Sequence, residues 1–142
     1  MPGTHRVLDA SFVVRTILPG PEQKQALELI VRWSRESKRL SAPSVCLVEA
    51  LSAIRQHVYT GALSEAQSMV AVESLFDLPI DLVIPDIHLG TRALEWASRL
   101  GHSKAYDAIY VALAEQEGAE LWTADRRLKR RADQVDASWV FD

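Results

Sequence analysis

The chain has 142 residues, 48% of them hydrophobic and 25% charged, with a formal net charge of −3. That is one domain's worth of chain, long enough to bury a core, and its charge excludes a protein that coats nucleic acid by bulk attraction, which would be basic. It does not exclude a nuclease, because divalent ions held by carboxylates supply positive charge locally. No apolar run approaches the roughly 18 to 20 residues that cross a bilayer, and the opening MPGTHRVLDA lacks a signal peptide's apolar core. A cytoplasmic protein with no membrane partner is expected. The single cysteine, Cys46, excludes an internal disulfide, and among Val45, Leu47 and Val48 it reads as a small core residue in a reducing compartment.

His5 to Leu8 reads as a first strand, with Asp9 directly after it and a short helix through Phe12, Val13 and Val14 that Pro19, Gly20 and Pro21 stop. From Glu22 to Ser37, Ala26, Leu29, Ile30 and Trp33 follow the helical repeat and predict an amphipathic helix. Leu40 to Pro43 is a second strand, and Ser44 is placed to cap the helix that starts at Val45. In that helix Leu47, Leu51, Ile54 and Val58 share one face. Periodicity assigns Glu49 to the surface, whereas its apolar flanks Val45, Val48 and Ala53 fit a cleft equally well. Gly61 separates this helix from the next, where Ser64 and Gln67 have the spacing of a capping box. Leu63, Ala66 and Val70 form one stripe there, and Met69, Val72 and Phe76 a second. One stripe is expected to meet the preceding helix; the other fits either a second protein chain or a doubly packed core position.

Pro79 ends that hairpin, and Ile80 to Ile84 is a third strand closed by Pro85, with Asp86 after it as a helix cap or a reserve acid. Ala93, Trp96, Ala97 and Leu100 mark another helix, terminated at Gly101. Ala108 to Ala114 are seven consecutive apolar residues, so the helix they form has no polar face and is buried on nearly every side. Asp107 opens it, either as its cap or as a carboxylate aimed into a shared pocket. After Gly118, Leu121 to Thr123 is a fourth strand that delivers Ala124 and Asp125. A basic helix from Arg126 to Ala132 follows, and Trp139 to Phe141 is a last strand. Alternating strands and helices predict one α/β domain over 1–142: a mostly parallel sheet of four to five strands, flanked by helices, with a helical hairpin between the second and third strands.

In open parallel sheets, functional groups collect beyond the carboxyl ends of the strands. Asp9 and Asp125 fall there, and Asp107 begins a helix that enters from the same edge. Each alone is an ordinary turn or cap carboxylate. Together they form a candidate site, and here the sequence resembles the PIN domains, in particular the VapC-type toxins of toxin-antitoxin pairs. VLDASFVV resembles the family's opening strand, LVEALSAI its acidic helix, YDAIYVALAE its third acid and LWTADRRL its closing Thr and Asp. The match runs from Val7 to about Leu128. Trp122 is a mild departure, standing where a smaller aliphatic residue is more usual.

The resemblance implies an acidic set of Asp9, Glu49, Asp107 and Asp125, with Ser11 and Thr123 as supporting hydroxyls. Four carboxylates about 5 Å apart repel by roughly 3 kcal/mol per pair at an effective dielectric near 20. Such a set needs cations or protons, and all-oxygen ligands suit Mg²⁺ or Mn²⁺. No His/Cys cluster points to zinc, and His57, His88 and His102 read as surface or helix-end residues. The expected reaction is metal-assisted hydrolysis of an RNA phosphodiester. Asp9, Asp107 and Asp125 would hold the ion or ions, Glu49 would bind a second ion or orient the attacking water, and Ser11 and Thr123 would steady the carboxylates. The resemblance also implies a 5′-phosphate and a 3′-hydroxyl as products, a cognate antitoxin over the cleft, and a homodimer whose surface would be the hairpin from Val45 to Phe76.

Arg126, Arg127, Lys129, Arg130 and Arg131 are either a solvated helix face or phosphate contacts, with Arg126 and Arg127 nearest the proposed pocket. Two readings compete in the first instance, the nuclease and a PIN-like scaffold that binds RNA or protein without cutting. A response-regulator receiver would want paired acids after the first strand, where this chain has Ala10 and Ser11. A haloacid-dehalogenase-type phosphatase would want a second Asp at the position of Ser11.

Overall fold

The computed structural model describes residues 2–142. A 3₁₀ turn at Pro2–Thr4 leads into β1 (His5–Leu8), followed by α1 (Ala10–Ile17), α2 (Gln23–Arg35) and β2 (Arg39–Pro43). The hairpin α3 (Val45–Tyr59) and α4 (Glu65–Asp77) precedes β3 (Ile80–Val83), α5 (Ile87–Leu100) and α6 (Tyr106–Glu117). β4 (Glu120–Trp122), α7 (Arg126–Gln134) and β5 (Val140–Phe141) complete the described chain. None of its helices is long and apolar enough to cross a membrane.

The five strands form one sheet in the order β3-β2-β1-β4-β5, and every pairing is parallel. The expected mostly parallel sheet is thus wholly parallel, and β2, β3, β4 and β5 each differ from their expected bounds by a residue at one or both ends. All four residues of β1 are buried, as a central strand covered on both faces must be. Its cover comes from two helical groups: α6 lies on β1, β2 and β4 and is backed by α5, and α1 packs with α2, α3 and α4. Between β1 and β4 the strand order reverses, because β1, β2 and β3 step one way and β4 and β5 the other. Such a switch point opens a crevice at the carboxyl edge, since the helices on either side diverge there.

Trp122 is held by an aromatic cluster at this point. Its ring stacks on Phe141 with centroids 5.6 Å apart and meets Trp33 and Phe12 edge-on at 5.1 and 6.3 Å. A small aliphatic side chain would leave that group open, which accounts for the departure noted in the sequence.

Several local expectations are corrected by packing. The buried line of α3 is Cys46, Ala50 and Ile54, with Leu51 exposed, so the helix is rolled away from the face read from its leucines. Ser44 occupies the N-cap of α3 but makes no side-chain capping bond, whereas Ser64 and Gln67 form the complete capping box of α4. On α4 the buried residues are Ala71 and Leu75, which belong to neither predicted stripe; Leu63 of the first stripe is buried ahead of the helix, and Met69, Val70 and Phe76 are exposed. Arg131 ties α7 to α5, its Nε donating to the Leu100 carbonyl at 2.7 Å. Gly101, at φ 73, lies beneath that guanidinium: a Cβ there would meet Arg131 at 3.0 Å.

Asp86 is the N-cap of α5, accepting from the Leu89 N–H at 2.9 Å. It serves the helix and not the acidic set. Asp86→Ala is expected to cost about 1 kcal/mol of unfolding free energy, read as a lower urea midpoint with an unchanged slope.

Candidate active site

At the carboxyl end of β1 the chain turns into α1 through Asp9, whose extended backbone (φ −87°, ψ 169°) makes it an N-cap. Its backbone N–H still donates to the Trp122 carbonyl at 3.1 Å, so the β1–β4 ladder runs up to the turn. Asp9 Oδ1 accepts from the Ser11 hydroxyl at 2.6 Å and the Phe12 N–H at 3.0 Å, and Oδ2 accepts from the Thr123 hydroxyl. Ser11 Oγ accepts from the Ala124 N–H, and Thr123 Oγ1 from the Asp125 N–H, both at 2.9 Å. One buried carboxylate and two hydroxyls therefore lace the turn after β1 to the turn after β4 across the switch point. Burial pushes the Asp9 carboxyl up to about 6, against the opposing pull of those hydrogen bonds.

Asp107 reaches the same edge through the length of α6. At the other end of that helix Glu117 contacts His5, Oε2 to Nε2 at 2.8 Å, and accepts from the Ser41 hydroxyl at 2.9 Å. The last turn of α6 is thereby pinned beside the start of β1. Ten helical residues rise about 15 Å and four strand residues about 13 Å, so α6 delivers Asp107 level with Asp9. Asp107 is not the helix cap: Ala105 holds that position without a side-chain bond, and Asp107 lies in the first turn. Its carboxylate faces His102, Oδ2 to Nδ1 at 3.8 Å. Burial raises its pKa, with His102 opposing and Asp125 adding to the rise. Asp9 in turn is raised by the charge of Asp107.

Asp125 is the N-cap of α7, with Oδ1 accepting from the N–H groups of Arg127 and Leu128 at 2.9 and 3.3 Å. Glu49 is half-buried on α3, and its Oε1 accepts from the Tyr110 hydroxyl at 2.7 Å. Glu49 is thus partly withdrawn from solvent, which the surface reading did not expect. Burial raises the Glu49 pKa against that bond, and the charge of Asp107 adds to it. Tyr110 was not singled out in the sequence, although a tyrosine inside an otherwise apolar buried helix must find a partner for its hydroxyl. It stands one turn beyond Asp107 on α6. Cys46 lies beside it, its thiol pushed up to about 12 by burial, which suits the core role expected of it. His102 also gains a place at the site that its sequence context did not signal.

Arg126, Arg127 and Arg130 are exposed on α7, and the charge of Arg127 acts on Asp107. Lys129 is engaged by Asp133 at 2.6 Å and Arg131 by Leu100, so the basic run divides into structural cations and free ones.

The charge balance of the site differs from that of other partly buried acids. Glu115, Glu117 and Glu120 face Arg92, His5 and Arg6 respectively. Among the described residues, Asp9, Glu49 and Asp125 have no ion-pair partner and Asp107 has only His102. No three His, Cys, Asp or Glu side chains of the described residues stand close enough to complete an ion site by themselves. Asp9 and Asp125 are turned instead toward their own helix caps. The donor set is still compatible with Mg²⁺, which keeps several waters and takes one or two carboxylates directly.

Between the usual carboxyl value of 3.8 and the folded value of about 6 for Asp9, the native state binds the proton more tightly than the unfolded chain. Stability from this group therefore falls as pH rises through that window, and the cost of the ionised form is complete above it. Asp9→Asn is expected to raise the unfolding free energy at pH 7 by about 1 to 3 kcal/mol and to have little effect at pH 4. Urea melts at the two pH values check this, and a variant less stable than the wild type at pH 7 would contradict it.

The PIN domain family model matches residues 6–134. Ribonuclease VapC12 of Mycobacterium tuberculosis is 36% identical over 122 residues, spanning 86% of this chain and 88% of that protein. Ribonuclease VapC1 of the same organism is 32% identical over 123 residues, spanning 86% of each. The fold is similar to the crystal structure of Mycobacterium tuberculosis VapC20, a Sarcin-Ricin loop cleaving toxin, with a TM-score of 0.66 at 15% identity over 88% of this chain and 93% of that one. With the switch-point acids, the all-parallel sheet and a family match over nearly its whole length, this chain belongs to the PIN domain family.

Proposed function

We propose that the chain is a metal-dependent endoribonuclease, a VapC-type toxin that hydrolyses RNA phosphodiester bonds in the cleft between β1 and β4. The observation that carries this reading is that the charge of Asp107 acts on Asp9 and on Glu49, and that of Asp125 on Asp107, while among the described residues the ion-pair contact to these acids is that of His102 with Asp107, at 3.8 Å. Three of them, Asp9, Glu49 and Asp107, have pKa values raised by burial. A fold keeps uncompensated carboxylates together at a cost, and a divalent cation relieves that cost. The ribonuclease names of the relatives support the same reading.

In this mechanism Asp9, Asp107 and Asp125 would hold Mg²⁺ or Mn²⁺, and Glu49, steadied by Tyr110, would bind a second ion or orient the attacking water. A bound ion supplies positive charge to the scissile phosphate and lowers the pKa of a coordinated water. Ser11 and Thr123 keep the Asp9 carboxylate in place, and Arg126 and Arg127 contact flanking phosphates from the mouth of α7. In-line attack leaves a 5′-phosphate and a 3′-hydroxyl. The partner of such a toxin is an antitoxin that covers the cleft. A homodimer would bury the exposed Met69, Val70 and Phe76 of α4.

Incubation of the full chain with structured RNA and Mn²⁺ is expected to give cleavage that EDTA abolishes. Asp9→Asn and Asp107→Asn should each lower the rate by about a hundredfold or more, in line with loss of about 3 kcal/mol of transition-state stabilisation, while circular dichroism remains native. Cleavage that persists in EDTA, or in both variants, would overturn the mechanism. Mn²⁺ should also raise the melting temperature of the wild type, and less so that of Asp9→Asn.

Light scattering is expected to give a dimer for the wild type and a monomer for Phe76→Glu. A wild type that remains monomeric at high concentration would remove the proposed dimer surface.

A further inference from the structure

Beside the acidic cleft, and separated from it only by the Thr123–Ala124 turn, lies a cavity of about 410 Å³ between α1, α2 and the ends of β4 and α7. Its apolar wall is formed by Leu29 and Trp122, and its rim carries Arg15, Gln25, Glu22 and Arg126, with Asp142 also lining it. The volume falls within the range of small-molecule sites, and the lining is as much polar as apolar, which suits a ligand with both a flat apolar face and hydrogen-bonding edges. Thr123 is common to both places: it lines the cavity and its hydroxyl bonds Asp9. The two places therefore share Thr123 as a common wall, and a ligand seated here is the neighbour of anything bound at the acids.

We propose that this cavity is a nucleotide subsite, which seats the base next to the scissile phosphate and sets the enzyme's sequence preference at that position. The inference deepens the ribonuclease reading and rests on it for the identity of the reacting phosphate. The mixed chemistry of the rim selects the ligand. Arg126 and Arg15 suit phosphate oxygens, although Arg15 is partly neutralised by Glu22, Nε to Oε2 at 3.9 Å. Glu22 and Gln25 offer oxygen acceptors, which match the ring N–H and exocyclic amine on a base edge. A fatty or purely anionic ligand would use only half of these groups. Unstacked bases of single-stranded RNA, which lie against aromatic walls and are read along their edges, use all of them. Bases that carry an exocyclic amine are accordingly favoured over uracil.

The test uses two readouts on the full chain and on Gln25→Trp, a substitution at an exposed helix position that fills the cavity. In the first, AMP, GMP, CMP and UMP are titrated while backbone amides are followed by NMR. In the second, the ends produced from a randomised single-stranded RNA with Mn²⁺ are sequenced. The expected result is shifts at Phe12, Arg15, Gln25 and Arg126, weakest with UMP. Gln25→Trp should weaken binding by about tenfold, the equivalent of roughly 1.4 kcal/mol, and flatten the preference at one flanking position. Amides around the cavity that stay still at millimolar nucleotide, or a variant with unchanged binding and profile, would overturn the subsite. Nucleotide binding in the cavity by a wild type that cuts no RNA would retain the subsite and sink the ribonuclease reading. Cutting with a profile that Gln25→Trp leaves intact would do the reverse.

Discussion

The buried carboxylate of Asp9 is the constraint on which the rest of the site depends. It sits where β1 and β4 part, at 5% exposure, and its two oxygens accept from a backbone N–H and two hydroxyls that belong to different turns. Removing such a group from water is costly, and three hydrogen bonds offset only part of that cost, as its elevated pKa records. The return is positional. The hydroxyl of Ser11 reaches the turn after β4, and that of Thr123 orders Asp125, so placing one acid places a second.

The third acid is positioned by a different device. α6 spans the sheet from edge to edge, and its register is fixed far from the chemistry by the contact of Glu117 with His5 and Ser41. That cluster is buried, and burial lowers the His5 pKa while the charge of Glu117 opposes it. Because α6 is apolar along most of its length and packs on β1, β2 and β4, a slip along its axis would move every one of its core residues. The site at one edge is thus held partly by a buried polar contact at the other.

Much of this was legible in the sequence where a residue's role follows from its place in the chain. Asp9 could be found because it directly follows a short strand, Asp125 because only Thr123 and Ala124 separate it from another, and the all-buried α6 because seven apolar residues leave no polar side. The ends of α5 and α6 were legible in Gly101 and Gly118, whose positive φ angles close the helices. Glu49 was ambiguous for a physical reason. Its helix buries a narrow line of Cys46, Ala50 and Ile54, and a residue flanking such a line has the same periodicity whether it meets solvent or a cleft. The stripes of α4 were only partly right, Leu63 and Val72 packing on the core while the buried positions of the helix itself, a small alanine and one leucine, lie on neither stripe. Tyr110 and His102 were hidden because their partners lie on other elements or across a loop, and no local spacing encodes such a meeting.

The clamp of Arg131 on the Leu100 carbonyl has a consequence for how α7 meets an anion. A helix anchored at its distal turn cannot swing, so the arginines at its proximal turn present their charge from a stationary mount. Less motional freedom remains to be surrendered when a polyanion arrives, and recognition at that end gains from rigidity what a tethered, mobile basic tail would forfeit.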